Sequence, residues 1–191
     1  MALELQHAVL SLVEAVTSGH FVSGPAPAWL VRPGRWECGS RWSLFQNMYR
    51  ELTGLELPET MPSRETRRVD GVLIRPGAPP CLIEVDEAQH FNAFRAATLL
   101  AYPPDVRLGF DRHVWISRSQ SKRRLEGGGF AKPKPPLFPG ENGRHRQRAF
   151  RDALCDLLPL EHGFEPTIRI ADSRFVTGLR NRTRATGWRN C

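Results

Sequence analysis

Acidic side chains stand inside two neighbouring apolar stretches of the chain. Asp70 lies in residues 67–74 (RRVDGVLI), and Glu84 and Asp86 lie in residues 81–87 (CLIEVDE). Side chains alternate between the two faces of a β-strand, so Glu84 and Asp86 are expected on one face, and pairing of the two strands places Asp70 beside them. Carboxylates that lie close together and are partly buried from solvent repel one another, and a hard divalent cation such as Mg²⁺ or Mn²⁺ offsets that repulsion. The three acids therefore predict a metal site.

Gln89 and His90 follow the acids at the point where the second stretch gives way to a helix. Their polar side chains are candidates for orienting a water molecule, which would make them catalytic together with the three acids. Structural roles are the alternative: a strand entrance for Asp70, a solvent-facing edge strand for Glu84 and Asp86, and packing for Gln89 and His90. The apolar neighbours of the two strand acids favour a central strand, where a carboxylate needs a partner.

Periodicity predicts the elements that carry these residues. The two apolar stretches are expected to form a hairpin, with Pro76 and Gly77 at the centre of a type II turn. A strand is predicted over residues 112–117 (RHVWIS), and strand, helix, strand in this order predicts a right-handed crossover. The other predicted elements are helices over residues 2–17, 41–53, 88–101 and 144–158 and a last strand over residues 166–172, with irregular structure over residues 20–38.

This arrangement resembles the PD-(D/E)xK nuclease superfamily, in which one strand carries an Asp and its hairpin partner carries Glu-x-Lys, followed by a helix and another strand. The corresponding residues here are Asp70, Glu84 and Asp86, within roughly residues 37–120, and the first strand of the family core is expected within residues 55–68. The resemblance implies an α/β fold with a restriction-endonuclease-like αβββαβ core, a mixed central sheet flanked by helices, an N-terminal helix and a basic C-terminal extension. The run Glu-Val-Asp-Glu-x-Gln-His is most similar to small branches of the superfamily related to short-patch repair and homing endonucleases.

The sequence departs from the family pattern at two positions. Val69 stands where the family often has a proline, and Asp86 occupies the lysine position. The family lysine orients or activates the attacking water, and an aspartate supplies no positive charge, so Asp86 is instead expected to be a further metal ligand or a general base. Family members often carry another acid near the first helix, for which Glu37 and Glu51 are both candidates.

Positive charge is concentrated after residue 117, although the net charge of the whole chain is only +7. Residues 118–151 contain ten basic and two acidic residues, and residues 173–191 contain five arginines and no acid. Basic segments beside an acidic body are typical of proteins that act on a polyanion, because the cations neutralise phosphates. The expected partner is nucleic acid, with DNA favoured, and the expected contacts are Lys122, Arg123, Arg124, Lys132, Lys134, Arg144, Arg148 and Arg151.

Composition argues against several other classes of protein. An apolar fraction of 40% with 9% aromatic residues is ordinary for a globular chain, and no stretch approaches the roughly 18 apolar residues of a membrane span. The four cysteines lie far apart without a CxxC pair, which is typical of free thiols in a cytoplasmic protein. Three segments are predicted: a lead-in with the N-terminal helix over residues 1–36, a nuclease-like core over residues 37–172 with a basic loop at 118–142, and a basic tail over residues 173–191.

Three functions compete on these observations. The leading hypothesis is a metal-dependent endonuclease that hydrolyses DNA phosphodiester bonds, with Asp70 and Glu84 holding Mg²⁺ or Mn²⁺ beside the carbonyl of Val85. The alternative is a catalytically inactive nuclease-like module that binds nucleic acid within a larger defence or repair complex. The third is a small structural protein whose acidic cluster is incidental. A homodimer and a larger complex are both compatible with the sequence, and no membrane partner is expected.

Overall fold

The computed structural model describes residues 2–62, 67–121, 125 and 128–171. These residues form a four-stranded mixed sheet flanked by helices, which confirms the predicted α/β class. None of the described helices has the length and apolar character that a bilayer crossing needs. The predicted basic tail, and residues 122–124 of the predicted basic loop, lie outside the described residues.

The sheet places the predicted hairpin at its centre. Its strands, in spatial order, are β1 (His20–Pro25), β2 (Arg68–Ile74), β3 (Cys81–Asp86) and β4 (Glu165–Ala171). The first three are antiparallel neighbours, whereas β4 runs parallel to β3. The register pairs Gly71 with Ile83 and Glu84 with Arg169. All six residues of β3 are buried, so its acids lie inside the protein.

The hairpin turn has the predicted geometry. Gly77 has a φ of +71°, in the left-handed region that the third residue of a type II turn requires. The N–H of Ala78 donates to the carbonyl of Arg75 at 3.3 Å and closes the turn. Asp70 and Glu84 therefore lie on adjacent strands joined by a short connection.

Seven helices are described, together with short 3-10 turns. The helices are α1 (Ala2–Thr17), α2 (Ala28–Val31), α3 (Arg35–Cys38), α4 (Trp42–Thr53), α5 (Ala93–Leu100), α6 (Arg112–Ser121) and α7 (Gly143–Leu157). The helices predicted over residues 2–17, 41–53 and 144–158 are confirmed. The helix predicted from residue 88 begins later, because the Asn92 side chain accepts the N–H of Arg95 at 3.1 Å and caps α5 there.

Two strand predictions are wrong. Residues 112–117 begin α6, which starts where Asp111 accepts the N–H of Val114 at 3.0 Å. The strand that completes the crossover is instead β4, so the connection from β3 contains α5, α6 and α7.

The first strand of the sheet is also earlier than expected. It is β1, within residues predicted to be irregular, and residues 55–62 contain no strand in the part of the chain that the structure describes. Gly24 and Pro25 are unusual in strands, so the sequence does not indicate a strand here. Both residues are tolerated because β1 is an edge strand with an irregular register between Val22 and Gly24.

The sheet separates two apolar layers. On one face, Leu10 of α1 packs with Leu73 and Ile83. On the other face, Leu82 joins a larger core that includes four aromatic side chains from α4, α7 and the chain before α7: Phe45, Tyr49, Phe138 and Phe150. The alternation of side chains along β3 therefore directs Glu84 towards α7 and not towards α1.

Candidate active site

Asp70 lies beside the backbone of β3. Its side chain is half-buried, and its Oδ2 accepts the N–H of Val85 at 2.7 Å. Burial raises the pKa of Asp70, and the hydrogen bond from Val85 opposes that rise. The Asp70 carboxylate therefore contacts the backbone of the residue that separates Glu84 from Asp86 in the chain.

Glu84 is a buried carboxylate, and the side chain that contacts it is only a weak hydrogen-bond donor. Among the described residues it is contacted by the thiol of Cys155, whose Sγ lies 3.5 Å from Oε1. Burial raises the pKa of Glu84 to about 7, with Arg169 opposing and Asp70 adding to the rise. Burial also raises the pKa of Cys155 well above its ordinary value, so the thiol is neutral. The negative charge of Glu84 is thus destabilised in its present surroundings.

Asp86 is in a different electrostatic position. Its Oδ1 accepts a hydrogen bond from Nη1 of Arg169 at 2.6 Å, and its Oδ2 accepts one from the Trp115 indole N–H at 2.6 Å. The ion pair between Asp86 and Arg169 is fully buried. The charge of Asp86 is therefore compensated by β4, which distinguishes it from Glu84 two residues earlier.

Arg169 is the centre of a buried ionic network that was not predicted from the sequence. Its Nε donates to Oδ1 of Asp156 at 2.6 Å, and its Nη2 lies 3.3 Å from Oδ1 of Asp152. Asp156 is also bound by Arg95 at 2.6 Å and by the Tyr102 hydroxyl at 2.7 Å. The signal that could have revealed this network is the pair of acids four residues apart in α7, where both side chains lie on a buried face.

His90 joins the same network at its edge. Its Nδ1 lies 3.3 Å from Oδ1 of Asp86 and 3.1 Å from Oδ2 of Asp152. Burial opposes a charge on the ring, but Asp152 and Asp86 outweigh burial and raise the pKa of His90 above its ordinary value. Arg95 and Arg169 pair with three aspartates, and Asp86 and Asp152 also favour the charged form of His90. The Gln89 side chain instead donates a hydrogen bond to Glu87.

The three predicted metal ligands are not equivalent. No group of three or more His, Cys, Asp or Glu side chains within the described ranges is arranged to hold one metal ion. Asp70 and Glu84 fit a divalent cation, because each is a carboxylate that burial makes less stable when ionised. Asp86 fits less well, because Arg169 already compensates its charge.

The two candidates for a further acid lie on other elements. Glu37 is in α3, where its Oε2 accepts the N–H of Gly34 at 2.9 Å and caps that short helix. Glu51 is exposed on α4 and lines an open cleft with residues of α5. These placements give Glu37 a local structural contact and leave Glu51 at the surface.

The predicted nucleic-acid contacts that the structure describes lie on α7 or in the chain before it. Lys132 and Lys134 are exposed, and Arg144, Arg148 and Arg151 are half-buried along α7. The guanidinium of Arg148 lies 5.3 Å from the ring centre of Phe130, and its charge opposes the rise in the pKa of His90, so it is close to the network. Lys122, Arg123 and Arg124 lie outside the described residues.

The predicted free thiols are confirmed for Cys38, Cys81 and Cys155, which are buried, and Cys191 lies outside the described residues. No family model, curated protein or solved structure matches the chain. The chemistry of the acids and their surroundings therefore carries the functional assignment.

The raised pKa of Glu84 gives a prediction for pH. Folding raises this pKa from 4.5 to about 7, so the folded protein holds the proton more tightly than the unfolded chain. The contribution of Glu84 to stability is full below pH 4.5 and is lost as the pH rises to about 7, on the order of 3 kcal/mol in the free energy of unfolding. We expect Glu84→Gln to flatten the wild-type loss of stability between pH 5 and pH 8.

Urea unfolding in EDTA at the two pH values measures this difference. Asp70 and His90 also have raised pKa values, so their contributions fall in the same direction as the pH rises, but both proteins retain these residues, and the difference between the two proteins reports the loss of the Glu84 carboxylate with its interactions. Equal pH dependence in wild type and Glu84→Gln would show that Glu84 ionises normally.

Proposed function

We propose that the protein is a metal-dependent endonuclease that hydrolyses DNA phosphodiester bonds, with Asp70 and Glu84 holding Mg²⁺ or Mn²⁺. The observation that carries this proposal is the state of Glu84, a carboxylate buried on a central strand next to Asp70 and contacted by a neutral thiol. A divalent cation would stabilise its ionised form, since oxygen ligands and retained waters are what Mg²⁺ favours. The peptide carbonyl of Val85 is a further candidate ligand.

The topology supports a restriction-endonuclease-like core as part of this proposal. Along the chain, α1 and β1 are followed by α2, α3 and α4, then by the antiparallel pair β2 and β3, then by α5, α6 and α7, and finally by β4 parallel to β3. If α2, α3 and α4 are taken as an insertion between β1 and β2, this order agrees with the αβββαβ core that the resemblance implies. The Asp and the Glu-x-Asp stand on the second and third strands, where the resemblance expects them.

In this proposal a bound Mg²⁺ or Mn²⁺ would polarise the scissile phosphate and lower the pKa of a coordinated water. Arg169 removes the repulsion that Asp86 would otherwise exert on an incoming phosphate. His90 and Gln89 remain the candidates for orienting the attacking water, and the raised pKa of His90 favours a positive charge at the edge of the site. Arg148 and the exposed lysines would bind the phosphate backbone, which gives affinity without sequence readout.

A specific observation favours the alternative of an inactive nucleic-acid-binding module. Asp86 stands at the lysine position of the family motif, and the cation that approaches it, Arg169, is buried among three aspartates. The donors of this guanidinium already bind carboxylates, so it is not available to activate a water molecule.

Metal removal separates the two functions. We expect a supercoiled plasmid to be nicked or linearised by the protein in Mg²⁺ or Mn²⁺ and to be left intact in EDTA, because the metal supplies the attacking water. A mobility-shift assay in EDTA should still show binding, because the basic residues act independently of the metal. Binding without cleavage in either metal would favour the inactive module, and cleavage that survives EDTA would refute the role of the metal.

A further inference from the structure

A small cavity beside the start of β2 has arginines but no acidic side chain among the described residues that line it. Its volume is about 20 Å³, which is enough for one water-sized atom. Arg32, Arg67 and Arg151 line it, and the other described lining residues are apolar. Positive charge facing a small space without a carboxylate is the pattern of an anion site.

Arg67 is the residue on which the inference depends. Only 7% of its surface is exposed. Its Nη2 donates to Sγ of Cys155 at 2.8 Å, and its Nη1 is buried with no hydrogen-bond partner among the described residues. A buried charged donor without a partner is costly, and buried polar groups in native proteins are nearly always satisfied. The unsatisfied Nη1 therefore points to a ligand that the protein binds.

The described protein groups around Arg67 leave its Nη1 without a hydrogen bond. Cys155 accepts from Nη2, and Glu84, whose pKa is raised by burial and lowered by the charge of Arg67, contacts Cys155 at 3.5 Å. Arg32 is exposed at the cavity and adds a second positive charge that solvent can reach. A ligand that satisfies Arg67 must place one oxygen-sized atom into the cavity, and the positive charges of Arg67 and Arg32 favour an anionic ligand whose other atoms stay near Arg32.

We propose that Arg67 and Arg32 form a binding site for a phosphate oxyanion, with one phosphate oxygen inside the cavity on Arg67 and the remaining oxygens at Arg32. Arginine suits this role because its planar guanidinium presents several donors to one phosphate. A terminal phosphate projects three free oxygens, whereas an internal phosphodiester has two and is flanked by sugars on both sides. The site is thus suited to inorganic phosphate or to a phosphate at the end of a nucleic-acid strand, and the second source rests on the proposed nuclease function.

Binding of inorganic phosphate tests the site without metal or cleavage. We expect calorimetry in EDTA, at constant ionic strength, to show phosphate binding to the wild type. Arg67→Gln should weaken this binding by about tenfold to a hundredfold, as expected for loss of a charge-assisted hydrogen bond. Arg68→Gln is the matched control, because it removes the same charge from the next residue of the chain, which is exposed on β2. Its affinity should stay within about twofold of wild type.

Arg32→Gln keeps the test decisive if Arg67→Gln fails to fold. Arg32 is exposed, so its replacement leaves the core intact, and we expect it to weaken phosphate binding several-fold. The proposal is overturned if the wild type does not bind phosphate, or if Arg67→Gln and Arg32→Gln both fold and bind it as tightly as Arg68→Gln. In that case Arg67 is a structural counter-charge for Glu84.

Competition with oligonucleotides identifies the source of the phosphate. A 5′-phosphorylated strand that displaces inorganic phosphate better than the same strand with a 5′-hydroxyl supports a strand terminus as the ligand. Equal behaviour of the two strands assigns the site to free phosphate. Both measurements are made in EDTA, so they remain valid if the plasmid assay shows that the protein is not a nuclease.

Discussion

Replacing Glu84 by Gln is expected to reduce metal-dependent DNA cleavage by about a thousandfold while leaving DNA binding within about twofold. A divalent ion supplies several kcal/mol of transition-state stabilisation, which corresponds to a loss of this size when a ligand is removed. Asp70→Asn should have a similar effect, because the two carboxylates lie on adjacent strands and would share the ion. Initial rates of plasmid nicking in Mn²⁺ measure the loss, and a mobility shift measures binding.

A fall in the cleavage rate of Glu84→Gln must be distinguished from unfolding of the variant. Glu84→Gln removes a buried charge that is already unfavourable, so the variant should be at least as stable as wild type at neutral pH. Glu56→Gln is the matched control, because it makes the same change on an exposed side chain that pairs with Arg50. Cleavage at the wild-type rate by both Glu84→Gln and Asp70→Asn would exclude these residues as metal ligands.

Arg169→Met should have the largest effect on stability. The methionine fills similar space but leaves Asp86, Asp152 and Asp156 buried without their shared cation. Removing one partner of a buried ion pair costs about 3–5 kcal/mol, a large part of the 5–15 kcal/mol that holds an ordinary domain together. Urea unfolding followed by circular dichroism gives the change, with a much lower midpoint expected for the variant.

The control for this prediction is Arg107→Gln. Arg107 is exposed and lies 3.9 Å from Glu165 at the start of β4, so its loss should change the free energy of unfolding by about 0.5 kcal/mol or less. The double variant Arg169→Met with Asp86→Asn should lose less than the sum of the single changes, since it also removes one of the stranded charges. An Arg169→Met midpoint equal to that of Arg107→Gln would mean that the network contributes no stability.

The parts of the fold that follow from local pattern could be predicted from the sequence. The hairpin was predictable because two apolar runs flank a Pro-Gly turn, and the placement of Glu84 and Asp86 on one face follows from strand alternation. Helix α7 was predictable from its apolar spacing. These features need only residues that are near one another in the chain.

The errors arose where distant contacts decide the structure. The run HVWI in residues 113–116 is short and apolar, which fits a strand or a buried helix equally well. Trp115 settles the choice by packing against Phe91 and donating to Asp86, contacts that only the assembled fold provides. Nothing in residues 165–171 alone shows that Arg169 will pair with acids from two other elements. Asp86 could therefore be identified from the sequence as a candidate site residue, but its ionic partner Arg169 could not.

Parallel pairing of β3 with β4 has a consequence for biosynthesis. Asp86 and Arg169 are 83 residues apart, and a ribosome adding roughly 5–20 residues per second needs about 4–17 seconds to cover that distance. During this interval one backbone edge of β3 has no strand to pair with, and Asp86 lacks its arginine partner. The unfinished chain therefore exposes a sheet edge of the kind that promotes aggregation until β4 is released.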